Sequence, residues 1–317
     1  MRVLVTGGAG FIGSWTVEAL VAAGHDVLVY DSFVTGSRAN LRAVAGAINL
    51  VEGDVRHPLA LHRAVRRFRP HTIIHLAACV SVPLSLRRAL SSHDTNTRGT
   101  LAVLEAARAH DVSRVVLASS AAVYGQCLLA PLPEDAPLAP LSPYGLHKRV
   151  GEDYARLYTE LYGLETVAPR YFNVFGPRQD PASPYSGVIA RFVAGAYARG
   201  PLSISGNGTQ TRDFVYVGDV ARANVAAATV DLHGHHVVNV GTGRETSLLQ
   251  LHAAIARLTN RPLPYTFAPA RPGDIPRSCA DVTRLRHLFG LTARTGVMEG
   301  LAALLDAYGD DARLRSA

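Results

Sequence analysis

The stretch RVLVTGGAGFIG, residues 2–13, constrains the fold of this chain most. A β-rich run leads directly into TGGAGFIG and then into a helix pattern at 12–23, and Gly7, Gly10 and Gly13 fit the spacing G-x-x-G-x-x-G. In a strand–loop–helix unit Gly7 permits the tight turn, Gly10 lets the backbone approach a pyrophosphate, and Gly13 packs helix against strand. A glycine triplet alone is weak, because glycine turns are common. Asp31 strengthens it: eighteen residues beyond Gly13, it closes the second β-rich run, where a carboxylate accepts both hydroxyls of an adenosine ribose and repels a 2′-phosphate. Ser32 and Phe33 follow with no arginine immediately adjacent, so the expected cofactor is NAD rather than NADP.

The alternation continues along the first half. Runs at 2–6, 25–30, 47–53, 72–78 and 114–120 read as buried strands, separated by helix patterns at 12–23, 57–67, 86–109 and 143–162, and 165–172 and 236–241 add two more strands. The expected class is α/β, a Rossmann-type doubly wound parallel sheet covered on both faces. After about residue 175 the chain loosens into loops rich in Pro, Gly and Ser, with helix patterns at about 187–199, 218–230, 246–258 and 296–308. That texture predicts a smaller α/β substrate-binding lobe, with residues 1–172 and about 212–241 forming the cofactor domain and 173–211 and 242–317 the lobe.

Composition narrows the function classes. The chain has 317 residues, 48% of them hydrophobic, enough for a large core, and no apolar run of membrane-spanning length or signal-peptide pattern is visible. Cys79, Cys127 and Cys279 show no metal-ligand spacing and suggest reduced thiols in a cytoplasmic setting. A net charge of +7 raises nucleic acid as a partner, but the arginines are scattered without an aromatic-interleaved stripe, which points to a generally Arg-rich surface; an anionic small-molecule ligand would benefit from the same sign. His233, His235 and His236 lack acidic or cysteine companions, so a solvated turn is expected there and no metal site.

The segment SPYGLHKRVGEDY adds chemistry. Ser142 suits an N-cap, Pro143 the first helical position and Gly163 the stop, which predicts a helix over about 143–162 with Tyr144 and Lys148 on one face. Spacing alone favours a solvated Tyr/Lys pair. With TGGAGFIG, HLAA (75–78), NTRGTLAVLEAA (96–107), SSAAVYG (119–125), SPYGLHK (142–148), RYFNVFGPRQDPASPYSGVI (170–189), TRDFVYVGDVA (211–221) and RPGDIPRSCAD (271–281), the whole chain resembles the extended short-chain dehydrogenase/reductase family, and within it the nucleotide-sugar 4-epimerases.

The resemblance implies inversion at C4 of a UDP-hexose through a transient 4-keto sugar, with NAD retained, a UDP-sugar substrate and a homodimer packed through the helices around 86–109 and 143–162. It implies Ser120, Tyr144 and Lys148 as catalytic residues. Phe11, Ile12, Asp54, Val55, Ala77, Ala78, Asn96 and Phe172 join the glycines and Asp31 as cofactor contacts, and Ser81, Ser120, Asn173, Val188, Arg212, Arg271, Asp274 and Ser278 are substrate contacts. Lys148 and the cofactor's positive ring are expected to lower the Tyr144 pKa toward neutrality. Ala121-Ala122 stands where related 4,6-dehydratases carry an Asp-Glu pair, which argues against elimination of water. Small Ser278 suggests room for an N-acetylated sugar. A uronate 4-epimerase, another 4-keto-sugar enzyme and a non-catalytic NAD-binding protein remain as alternatives.

Overall fold

The computed structural model describes residues 1–126, 129–179, 187–198, 201–270 and 275–309. Its first half runs β1 (Arg2–Thr6), α1 (Phe11–Ala22), β2 (Asp26–Asp31), β3 (Ile48–Glu52), α2 (Pro58–Phe68), β4 (Thr72–His75), α3 (Val82–Arg87), α4 (Ala89–His93), α5 (Gly99–Ala109), β5 (Arg114–Leu117), β6 (Ser119–Ser120), α6 (Pro143–Tyr162) and β7 (Glu165–Tyr171). The second runs β8 (Asn173–Phe175), α7 (Val188–Ala198), β9 (Leu202–Ser205), β10 (Thr211–Arg212), β11 (Phe214–Tyr216), α8 (Val217–Thr229), β12 (His235–Val240), β13 (Thr246–Ser247), α9 (Leu248–Thr259), β14 (Tyr265–Ala268), α10 (Thr283–Phe289) and α11 (Val297–Gly309).

The main sheet has the order β3-β2-β1-β4-β5-β7-β12, with β6 extending the β5 side of β7, and its pairings are parallel. Side-chain alternation explains why helices cover both faces. Val3, Val5, Val27, Val29, Ile74 and Val116 enter one apolar cluster, while their neighbours Leu4, Leu28, Tyr30, Ile73 and Val115 enter the other. Each fully buried aliphatic side chain contributes about 1.5–3 kcal/mol. Helices α1, α8 and α10 supply the first cluster; α2 and α5 supply the second. The strand order reverses between β1 and β4, the crevice position at which open α/β sheets bind ligands.

A third cluster, including Phe175, Phe192, Val193, Leu202, Ile204, Leu251, Ile255, Leu301 and Leu304, is built by α7, β9, α9 and α11 with β8 and β11. Parallel pairs β8–β11 and β9–β14 and the antiparallel pair β10–β13 frame it. Leu285 and Phe289 of α10 pack on the main-sheet cluster, not on this one, so a segment expected in the lobe returns to the sheet.

Other departures have local causes. The expected helix over 86–109 is divided into α3, α4, a π-helical turn at Asp94–Arg98 and α5, because Arg88 leaves helical geometry at φ −133°, ψ 60°. β4 ends at His75 instead of 78, where the chain turns toward the glycine loop. β3 is an edge strand and mostly exposed, as its one-sided pairing dictates. Among the described residues no helix is long and apolar enough to cross a membrane.

Candidate active site

The glycine loop is fitted to its surroundings at backbone level. Gly7 has φ +71°, and a Cβ there would lie 2.6 Å from the Ala77 amide nitrogen; a Cβ on Gly13 would lie 2.0 Å from the Gly7 carbonyl oxygen. Both positions therefore require glycine. The Gly10 amide donates to the Gly7 carbonyl at 3.1 Å, and Phe11 and Ile12 open α1 immediately behind it. The turn presents the N-terminus of a twelve-residue helix with no side chain capping it, a site suited to a pyrophosphate. Asp31 is buried and accepts the Ala9 amide at 2.9 Å and the Phe33 amide at 2.8 Å, so it also ties the loop to the end of β2.

At the neighbouring edge, Asp54 receives Arg56, whose guanidinium hydrogen-bonded to it holds the carboxyl below its ordinary range; Val55 is buried against Gly99. Arg38, six residues before Val44 and past the end of β2, lies 4.4 Å over the Phe33 ring and pairs with Glu52 at 2.8 Å. Ala77 and Ala78 follow β4. The Ala77 amide donates to Thr6 Oγ1 at 3.3 Å, and Asn96 accepts the Cys79 amide at 2.7 Å while donating to the Cys79 carbonyl at 2.9 Å. Asn96 thus fixes the loop that follows β4.

Sequence reasoning passed over His75, one residue ahead of the small residues' own short loop. Thr100 Oγ1 donates to the Asn96 carbonyl at 2.6 Å, so it accepts from His75 Nε2 at 3.1 Å, and Thr6 Oγ1 therefore donates to Nδ1 at 2.7 Å. The ring is neutral: burial first, then Lys148, drives its pKa down to about 3.

Helix α6, which carries Tyr144 and Lys148, begins as its sequence dictates. Ser142 accepts the Gly145 amide at 3.1 Å, Pro143 occupies the first turn, and Gly163 ends α6 at φ +69°. Tyr144 and Lys148 are buried at 9% exposure each, which excludes a solvated pair. The Tyr144 amide donates to Ser85 Oγ at 3.2 Å, and Ser120 stands by its phenol, where it favours the ionised form. The Ser120 hydroxyl also accepts the Ala122 amide at 3.2 Å, capping the short turn Ala121–Val123, which carries no carboxylate. Lys148 Nζ lies 5.9 Å from the Tyr144 ring centroid and donates to the Ala118 carbonyl at 2.6 Å.

The expected electrostatics need correction. Burial raises the Tyr144 pKa, Ser120 offsetting it only in part, so in the chain by itself Lys148 does not bring the phenol down. Burial lowers Lys148 to about 8, against the opposing pull of Glu152. A composition signal was also available and missed: of the 32 lysines and arginines, a single one is lysine, Lys148.

The remaining candidate residues stand on other elements. Phe172 is buried at the end of β7, and the Asn173 amide donates to the Asp213 carbonyl at 2.9 Å with its side chain exposed. Asp213, which sequence reasoning did not single out, is fully buried and accepts from the Thr242 amide and hydroxyl, the Gly243 amide and the Ala280 amide at 2.7–3.1 Å. It holds β10–β11 against the strand-like segment bearing buried Ser278. Arg212 donates to the Ile275 carbonyl at 2.6 Å, next to the segment carrying Arg271 and Asp274, which lie outside the described residues, as does Cys127. Val188 opens α7 against the third cluster, and Ser81 caps α3, accepting the Leu84 amide at 3.0 Å. Arg178 pairs with Glu18 at 2.6 Å and lies 5.3 Å from the Trp15 ring, while Trp15 donates to the Pro177 carbonyl at 3.2 Å, so the loop after β8 is fastened to α1.

A glycine turn between β1 and α1 together with a buried Tyr–Lys pair and the half-buried Ser120 defines a class of α/β oxidoreductase-like enzymes. Residues 3–241 match the NAD dependent epimerase/dehydratase family, and the chain belongs to it. The UDP-glucose 4-epimerase of Mycolicibacterium smegmatis is 39% identical over 97% of this chain and 98% of its own. Among solved structures, the UDP-glucose 4-epimerase of Thermus thermophilus in complex with NAD superposes with TM-score 0.91 at 37% identity, covering 98% of this chain and 100% of that one. The UDP-N-acetylglucosamine 4-epimerase of Methanobrevibacter ruminantium in complex with UDP-N-acetylmuramic acid gives TM-score 0.92 at 33% identity and 97% of each chain.

Proposed function

We propose that this chain is an isomerase that inverts C4 of a UDP-hexose, the glucose/galactose pair and, given small Ser278, their N-acetylated counterparts. The observation that carries the reading is the buried Tyr144–Lys148 pair with half-buried Ser120, beside a turn, Ala121–Val123, that lacks the acid and base needed to eliminate water. The cradle fits NAD: the close approaches at Gly7 and Gly13 leave room only for bare backbone, and the uncapped start of α1 offers amides to a diphosphate. Phe11, Ile12, Gly10 and Gly13 would hold the pyrophosphate, Asp31 the adenosine ribose, Asp54 and Val55 the adenine edge, and Ala77, Ala78, Asn96 and Phe172 the reactive end.

When bound, NAD supplies a positively charged ring that accepts and returns a hydride. Tyr144 takes the proton of the sugar 4-hydroxyl, with Ser120 in the hydrogen-bond path, and returns it after the 4-keto sugar has presented its other face. Lys148 keeps a cation against the phenol from the inner side. Neutral His75 adds no positive charge of its own beside Lys148. Arg212, with Arg271 and Asp274, would grip the nucleotide diphosphate and ribose, and Asn173, Val188, Ser81 and Ser278 would frame uracil and sugar.

Leu86, Leu90 and Leu161 on α3, α4 and α6 are 64%, 83% and 67% exposed, which supports a homodimer packed through these helices. Free Cys79 and Cys279 support a cytoplasmic setting. The test is incubation with UDP-galactose and with UDP-N-acetylgalactosamine, read by proton NMR. C4 epimers of unchanged mass are expected from wild type, and a loss of at least about 100-fold from Tyr144→Phe. Inertness toward every UDP-hexose, or full activity of Tyr144→Phe, would sink the assignment.

A further inference from the structure

The chain's sole lysine is accompanied by a second buried charge system that the mechanism does not use. One helical turn beyond Lys148, Glu152 is 5% exposed. The two side chains grip consecutive residues of one strand link: Lys148 Nζ donates to the Ala118 carbonyl at 2.6 Å, and Ser119 Oγ donates to Glu152 Oε1 at 2.5 Å. Arg170, the register partner of Ser119 across β6–β7, closes a fork on Glu152, Nε to Oε1 at 2.9 Å and Nη2 to Oε2 at 2.7 Å. Its remaining arm donates to the Glu134 carbonyl at 2.8 Å, and its guanidinium lies 4.7 Å from the Tyr124 ring centroid.

We propose that Glu152, oriented by Arg170, is a positioning residue that keeps Lys148 protonated and holds Ser119–Ser120 in register beneath Tyr144. The inference rests on the catalytic reading of Tyr144 and Lys148. Beside the ammonium stand Tyr144 and His147 from α6, His75 from β4 and, next to the carbonyl it grips, Ser119 and Ser120 of β6. None of these carries a carboxylate, and Arg170, across the ladder from Ser119, is a cation paired with Glu152. Glu152 is thus the negative charge that opposes the burial of Lys148, consistent with the direction of its influence. Because its oxygens are committed to Ser119 and Arg170, the carboxylate acts on Lys148 at a distance and leaves the ammonium on the Ala118 carbonyl. Moving Glu152 would move Ser119, and with it the adjoining hydroxyl of Ser120.

The single lysine makes the test direct. Lysine-selective 13C labelling gives one side-chain signal, whose shift against pH reads the charge of Lys148 in the full-length protein without substrate. Glu152→Gln is expected to lower the midpoint by about one pH unit or more. Glu152→Gln/Arg170→Gln is expected between that value and wild type, because it removes the cation paired with Glu152 as well. Ser119→Ala is expected to leave the midpoint in place while lowering kcat for epimerisation, and the alkaline limb of the activity profile should follow the NMR midpoint in every variant. If Glu152→Gln does not fold, as judged by the signal of the single tryptophan, the double variant decides, with a midpoint below wild type expected. A midpoint equal to wild type in the folded single or double variant overturns the proposal. The lysine titration reads the same whether or not the chain acts on a UDP-hexose, so the two readings fail separately.

Discussion

Alanine at Gly7 and at Gly24 separates the two demands that the cofactor loop places on its first glycine. Both have left-handed backbones, φ +71° and +76°, but a Cβ on Gly24 meets nothing within 4 Å, whereas on Gly7 it lies 2.6 Å from the Ala77 nitrogen and 2.9 Å from the Ala77 Cα and the Leu76 carbonyl carbon. Left-handed geometry costs a side chain about 1–2 kcal/mol at either position. At Gly7 overpacking against backbone adds about 1–3 kcal/mol, because no flexible side chain is there to yield, for a total of about 2–5 kcal/mol. That is a large part of a typical stability of about 5–15 kcal/mol. The displaced segment leads to Cys79, which Asn96 anchors and which faces Tyr144, so cofactor binding and activity should fall as well. Urea unfolding and NAD titration check it: Gly24→Ala should lose about 1–2 kcal/mol and bind NAD normally, and Gly7→Ala should lose more and bind at least about tenfold more weakly. Equal behaviour of the two variants in both assays would refute the reasoning.

Three further outcomes follow from the geometry. Asp213→Asn replaces one acceptor oxygen by a donor facing amides, so it should cost about 2–4 kcal/mol in urea unfolding and raise KM for the nucleotide sugar, since Asn173, Arg212 and Ser278 hang on the same anchor. His75 is held neutral down to about pH 3, while an unfolded histidine takes a proton near pH 6.5, so the unfolded chain binds more protons between those values. Acidification through that window should therefore destabilise wild type, and His75→Gln should flatten the dependence in urea midpoints measured across it. Leu90→Glu, on the most exposed leucine of the proposed pairing face, should convert a dimer to a monomer in light scattering without changing the far-UV spectrum.

The sheet was legible because its physics is local. Runs such as RVLVT must be buried on both sides, and glycine, strand and Asp31 fall in fixed register, so β1, β2 and the loop between them follow from sequence. The cap–proline–glycine signals bound α6 to the residue, Pro143–Tyr162. What escaped depends on tertiary partners. The break at Arg88 serves the packing of α3 on the catalytic helix; short strands such as β10 and β13 are defined by each other; and Asp213 reads as an ordinary acid until four donors from distant segments close on it. The burial that raises the Tyr144 pKa is likewise invisible in a Tyr/Lys spacing.

The central claim is that this chain removes and returns the same hydrogen at C4 of a UDP-hexose. Incubating the NAD-loaded protein with UDP-glucose deuterated at C4 and following product by NMR and mass spectrometry tests it most directly. UDP-galactose with deuterium retained at C4 and unchanged mass is predicted; washout of the label into water, or a product lighter by a water molecule, would contradict it.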